Sequence, residues 1–186
     1  HLRPTWTTAE SSSFLEMIAS LAGVRPGEIA SWDCRFADAQ TARVIGGDAS
    51  MLASGRLDNQ LSCWAAVHAL AGASGPSVIA LFDHEEIGSQ SSVGAQSSFL
   101  SSVLERLMIA AGLSRQEFLT ALSEGHCVSS DNAHAVHPNY PERHEAGHRP
   151  LVNQGPAIKL NHNQRYATTP STAAAPSPAR TPILSS

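Results

Sequence analysis

The short apolar run Ser77-Val78-Ile79-Ala80-Leu81-Phe82, stopping abruptly at four ionisable residues, Asp83-His84-Glu85-Glu86, constrains this chain most. A run of that length with apolar side chains on both faces has the pattern of a central strand in a parallel sheet. In open α/β sheets, ligands bind beyond the carboxyl ends of such strands. Ionised carboxylates beside a core are costly unless paired or bound to a cation, and neighbouring glutamates repel, so a nearby positive centre is the simplest remedy. The alternative is a solvated loop joining strand to helix, and the Asp-His-Glu-Glu run alone leaves both open.

The surrounding pattern predicts an α/β fold. From Ser11 to Ala22 the apolar residues Phe14, Met17, Ile18 and Leu21 recur at helical spacing, with Gly23 and Pro26 as a stop. Strands are expected over Glu28 to Phe36 and Thr41 to Ile45, with Gly46-Gly47-Asp48 turning the chain. Leu61 to Ala71 is apolar on every face, so a buried helix is expected there. Ser98 to Ala111 reads as a helix, and Ser114 with Glu117 at capping-box spacing opens another. Helix, strand and helix in this order point to a mixed, largely parallel sheet flanked by helices. From Thr168 to Ser186 the Ala, Pro, Ser and Thr composition predicts a tail without stable order.

Length and charge narrow the function classes. A chain of 186 residues supports one core of ordinary size. A formal charge of −4 with both signs interleaved gives no electrostatic footprint for nucleic acid or an anionic membrane. No run approaches the roughly 18 apolar residues of a membrane span. Three cysteines, Cys34, Cys63 and Cys127, without a CxxC spacing argue against a disulfide framework and fit a reducing cytoplasm. The opening His1-Leu2-Arg3-Pro4 lacks an initiator Met and a signal-peptide pattern, and is expected to be an internal start. Histidines concentrate between His126 and His162, which invites a metal reading, although single histidines more often serve polar networks.

Two further acidic islands bear on the site. Gly55-Arg56-Leu57-Asp58-Asn59 places Asp58 just before the apolar helix, where it could equally cap that helix. Ser129-Ser130-Asp131-Asn132-Ala133-His134 places Asp131 after a short apolar step, where it could cap a turn. Three carboxylate sites followed by histidines are the donor types that a pair of divalent cations takes.

Gly55-Arg56-Leu57-Asp58-Asn59-Gln60, Asp83 to Ser89, Ser130 to Tyr140, and Gly155-Pro156-Ala157-Ile158-Lys159-Leu160-Asn161 with Gln164 to Thr168 together resemble the motifs of the aspartyl aminopeptidase family, in family order. The resemblance covers roughly His1 to Thr168. It implies a two-zinc site in which Asp58 bridges the metals, Glu86 and Asp131 each bind one, and Glu85 is the general base. Manganese or cobalt are alternatives to zinc. It implies that Lys159 meets the acidic side chain of the substrate, with His137 and His134 assisting substrate binding, and that the Asp58-Asn59 peptide bond is cis. His144, His148 and His162 are expected to be surface residues, and His68, on the apolar helix, a hydrogen-bonded core residue.

On this resemblance the substrates are peptides with an N-terminal Asp or Glu, the full-length form is a homo-oligomer, and the location is cytoplasmic. Residues 1–45 are expected to belong to an inserted oligomerisation domain, 46–168 to a partial catalytic domain and 169–186 to the tail. The copy is expected to be incomplete, since two further histidine ligands of the family fall outside it. An inactive metal-binding or assembly fragment, and a neutral-residue aminopeptidase of the same family, are the competing readings.

Overall fold

The computed structural model describes residues 5–10, 13–160, 168–174 and 183–185. Backbone contacts divide the chain between Thr41 and Ala42 into two units.

In the first unit, helix α1 (Phe14–Ala22) starts where Ser13 Oγ accepts the Glu16 N–H and ends at Gly23, whose φ of 70° lets the chain turn out of the helix. Ala19 is buried on its inner face, and Trp6 meets Phe14 edge to face at 5.9 Å. The strand expected over Glu28 to Phe36 is not formed. Pro26–Glu28 is a 3-10 turn, with Glu28 accepting from the Arg25 N–H at 2.8 Å and its guanidinium at 2.7 Å. Asp33 and Arg35 pair at 2.8 Å. These short-range side-chain bonds compete with ladder formation.

In the second unit, strands β1 (Arg43–Ile45) and β2 (Met51–Ala53) form an antiparallel hairpin with Val44 opposite Leu52. Its turn is closed by Asp48 Oδ1, which accepts from the Ser50 hydroxyl at 2.7 Å and from its N–H at 3.2 Å. Those two bonds hold the Asp48 carboxyl below the usual range. Helix α2 (Leu57–Ala71) follows, then α3 (Phe99–Ala110) and α4 (Arg115–Glu124). The predicted capping box is present: Ser114 Oγ accepts from the Glu117 N–H while the Glu117 carboxylate accepts from the Ser114 N–H at 2.7 Å. Phe118 is the buried anchor of α4, and Arg115 bonds Glu105 of α3 at 2.9 Å. Strand β3 (Ile158–Leu160) pairs in parallel with β4 (Ile183–Ser185), and α5 (Pro170–Ala173) is one turn capped by Thr169.

Three expectations need correction. Ser77 to Phe82 joins no ladder, so among the described residues the sheets are these two pairs of strands and not one largely parallel sheet. Helix α2 forms but is not buried: Leu61, Trp64 and Val67 are 54%, 59% and 48% exposed. The cause is common to both, because an apolar helix in an α/β layer is buried by the sheet it covers, and the 77–82 segment has no partner strands to make that sheet. The segment after Thr168, expected to lack order, carries α5 and β4, while 175–182 lie outside the described residues. So do His162 and Gln164 to Ala167 of the fourth motif.

Among the described residues no helix is long and apolar enough to cross a membrane, and Cys34, Cys63 and Cys127 are free thiols.

Candidate functional site

Asp58 sits on an irregular opening turn of α2. Arg56 takes a left-handed conformation with φ of 62°, Asp58 and Asn59 have non-helical dihedrals, and the Asp58-Asn59 peptide bond is cis, as the family resemblance implies. The helix closes over this turn through the Gln60 N–H to Arg56 O, at 3.2 Å. The Asp58 carboxylate is exposed, and among the described residues no side-chain hydrogen bond caps the start of α2.

Glu85 and Glu86 lie on a single 3-10 turn, Glu85–Ile87, entered by left-handed His84 (φ 66°) and left by Gly88 (φ 102°). The Gly88 N–H donates to Glu85 O and the Ser89 N–H to His84 O, both at 2.9 Å. His84 Nδ1 meets Ser91 Oγ at 2.6 Å. This turn is braced by a tight loop in which Ser89 O accepts from the Gln96 N–H at 3.1 Å while Gly94 passes underneath, buried. A Cβ on Gly94 would lie 2.3 Å from Ser89 O and 2.6 Å from its carbonyl carbon, both backbone atoms. Gly94→Ala therefore forces the loop apart and is expected to destabilise the chain by about 1–3 kcal/mol, as overpacking does. Chemical denaturation checks this, and an unchanged midpoint would contradict the close approach.

Asp131 and Asn132 draw the other motifs together. The Asn132 carboxamide donates from Nδ2 to Leu57 O at 2.9 Å and accepts at Oδ1 from Ser62 Oγ at 3.2 Å, bridging to residues 75 and 70 positions away. The first of these partners is the carbonyl immediately before Asp58. Asp131 Oδ1 accepts from the Asn132 N–H at 2.8 Å, and its Oδ2 lies 3.5 Å from Lys159 Nζ on β3. The first and fourth motifs thus each meet the third, one through Asn132 and the other through Asp131.

His134 and His137 line an open depression of about 540 Å³ with Ala135, Tyr140, Arg143 and His144. His137 stacks on Tyr140 with ring centres 5.3 Å apart, and its Nδ1 accepts the Asn139 N–H at 3.1 Å. A neutral His137 therefore carries its proton on Nε2. His144 is half-buried rather than a surface residue: Nε2 donates to His134 O at 3.1 Å, and its buried Nδ1 has no hydrogen-bond partner. Just outside, Glu145 is held below the usual carboxylate range by the Gly147 N–H and the His148 ring.

Oxygen donors of this kind suit a divalent cation. Among the described residues, however, no three His, Cys, Asp or Glu side chains converge closely enough to hold one. The residues present do not by themselves fit a metal centre, and the cation nearest the Asp131 carboxylate is the Lys159 ammonium. The physical reason is again the missing sheet: strand ends converge when their strands lie side by side, and the one leading to Glu85 and Glu86 is unpaired. Sequence reasoning missed Asn132, Ser62 and Gly94. Gly94 carried only the general signal of a glycine in a serine-rich stretch, Asn132 only its place in the third motif, and Ser62 none.

Carboxylates on turns that follow apolar segments, with a lysine and histidines beside them, are the side-chain types of a metallopeptidase. The chain belongs to the aminopeptidase I zinc metalloprotease family (M18), whose sequence model matches residues 4–181. That match runs beyond Thr168 into the segment expected to be a tail. The chain is 47% identical over 180 residues to the "Probable M18 family aminopeptidase 2" of Mycobacterium leprae, covering 94% of this chain and 42% of that protein. Against the protein of the same name from Streptomyces coelicolor it is 43% identical, covering 90% of this chain and 41% of the relative. It thus spans about two fifths of the length of the curated relatives it matches. Among solved structures, a cryo-EM structure of an Ape4 and Nbr1 complex superposes with a TM-score of 0.71 at 33% identity, over 92% of this chain and 36% of that one. The mApe1 dodecamer of S. cerevisiae gives a TM-score of 0.65 at 28% identity, over 86% and 39%.

Proposed function

We propose that this chain supplies the carboxylate-bearing part of the active site of a zinc aminopeptidase that removes Asp or Glu from peptide N-termini. The observation that carries the reading is the meeting of three separated motifs at Asp131 and Asn132, through the Asn132 bridge to the Asp58 turn and the Lys159 ion pair. In this reading Asp58, Glu86 and Asp131 are the chain's contribution to a two-zinc centre, completed by the nitrogen donors that the family resemblance puts outside residues 1–186. Zinc held by these carboxylates together with those nitrogen donors would supply an electrophile for the scissile carbonyl and lower the pKa of water.

The chain's own groups do the rest. Glu85, exposed on its turn, takes the proton of the attacking water and returns it to the leaving amine. Lys159 meets the acidic side chain of the substrate by a charge-assisted hydrogen bond. His137, with its Nδ1 occupied by the Asn139 N–H, offers an Nε2–H donor to a carbonyl oxygen as negative charge develops on it. His134 lines the same depression as a second substrate contact. By analogy with the dodecameric relative, the complete enzyme is a homo-oligomer, with residues 1–45 in its assembly domain, and it works in the cytoplasm.

The lack of a three-donor group among the described residues favours a second reading for residues 1–186 on their own, that of an inactive metal-binding or assembly fragment. Both are tested by grafting residues 4–181 into the Mycobacterium leprae relative in place of its matching segment. Release of p-nitroaniline from Asp, Glu and Leu p-nitroanilides with zinc present is then compared with that of the ungrafted chain. The expected result is acid-selective turnover by the graft and none by the chain alone. Leu released as fast as Asp would leave the neutral-residue aminopeptidase standing instead.

A further inference from the structure

We infer that Asn132 is a positioning residue whose carboxamide, clamped between Leu57 O and Ser62 Oγ, fixes the Asp58 turn against Asp131. Both neighbours matter. Leu57 O is the last acceptor before Asp58, on an opening turn where Asp58 and Asn59 have left helical geometry. Ser62 is 8% exposed, the one buried polar side chain among the described residues, and its hydroxyl is directed at Asn132 Oδ1. A buried hydroxyl that loses its partner is penalised, so this end of the clamp resists opening.

The chemistry selects an amide. The Leu57 carbonyl requires a donor and the Ser62 hydroxyl is donating to an acceptor, so one side chain of this reach must present both. An aspartate would satisfy Ser62 and set a carboxylate against a carbonyl oxygen. A leucine of similar shape would fill the space and satisfy neither. Because Asn132 follows Asp131 directly, and its own N–H holds Asp131 Oδ1 at 2.8 Å, the clamp acts on the second carboxylate through one residue of backbone. The two acidic groups belong to segments more than 70 residues apart, and the Asn132 side chain bonds one segment to the other.

The effect on turnover rests on the proposed function, whereas the clamp can be tested without it. In the full chain, amide hydrogen exchange over 57–62 is compared between native protein, Asn132→Leu, Asn132→Asp and Ser62→Ala. In the graft, the same substitutions are read as kcat and KM on an Asp p-nitroanilide. Asn132→Leu and Asn132→Asp are expected to lose protection at 57–62 and to lower kcat about 10- to 100-fold, the scale set by small misplacements of reacting groups, with KM within about threefold. Asn132→Gln, which keeps donor and acceptor, recovers part of that loss. Asn132→Leu with native kcat would overturn a positioning role even if protection fell. Should the native graft have no peptidase activity, the proposed function fails, and exchange in the chain still decides: protection lost in Asn132→Leu supports the clamp, and unchanged protection overturns it.

Discussion

Glu85→Gln in the grafted enzyme lowers kcat by about 10²- to 10⁴-fold with KM little changed, the range seen when a general base is removed. The substitution is nearly isosteric. The bonds that shape the turn, from Gly88 N–H to Glu85 O and from Ser89 N–H to His84 O, are backbone bonds that it leaves intact. What changes is the ability to accept a proton. Glu86 is the internal comparison, because it sits on the same 3-10 turn with the same exposure and is assigned a ligand role. Glu86→Gln is expected to weaken zinc retention, whereas Glu85→Gln should bind zinc as the native graft does. A Glu85→Gln graft keeping more than about a tenth of native kcat would remove Glu85 from the base role.

Lys159→Ala is expected to lower kcat/KM on Asp and Glu substrates by about 30- to 1,000-fold, the scale for truncating one partner of a desolvated charge pair, and on a Leu substrate by less than about threefold. Lys159 is part-buried at the meeting of β3 and Asp131, where an ammonium with three donors can serve Asp131 and a substrate carboxylate together. The neutral substrate separates these duties. If Leu turnover fell as far as Asp turnover, the lysine would be acting on Asp131 and not on selectivity. Lys159→Met, which keeps most of the apolar stem and removes the charge, should behave like Lys159→Ala.

Features encoded by neighbouring residues were legible from sequence. Gly23 ends α1, and Ser114 with Glu117 opens α4, because a cap is a bond between residues a few positions apart. The start of α1, expected at Ser11, lies at Phe14 behind the Ser13 cap. Features that depend on what covers a surface were not. The apolar residues of α2 and of 77–82 predicted burial, but burial needs partner strands, and in the described residues Leu61, Trp64 and Leu81 remain more than half exposed. Strand β2 was missed because three residues after a turn carry too little alternation, and β4 because its pairing with β3 joins Lys159 to Leu184 across a stretch of Ala, Pro, Ser and Thr. In the site, residue types pointed to a metallopeptidase, while a solvated loop and caps stayed open as uses for the same carboxylates. Geometry did not follow from type. Asn132 looks like any motif asparagine until Leu57 and Ser62 are brought to it, and Gly94 looks like a linker glycine until Ser89 O is found 2.3 Å from where its Cβ would be.

In the proposed function Asp58, Glu86 and Asp131 belong to one metal centre of the complete protein. Diffraction from crystals of the zinc-loaded graft, collected on both sides of the zinc absorption edge, tests it most directly. Two anomalous peaks are expected, with Asp58 between them, Glu86 on one and Asp131 on the other. Peaks placed away from these carboxylates, or Asp131 still paired with Lys159 and carrying no metal, would contradict it.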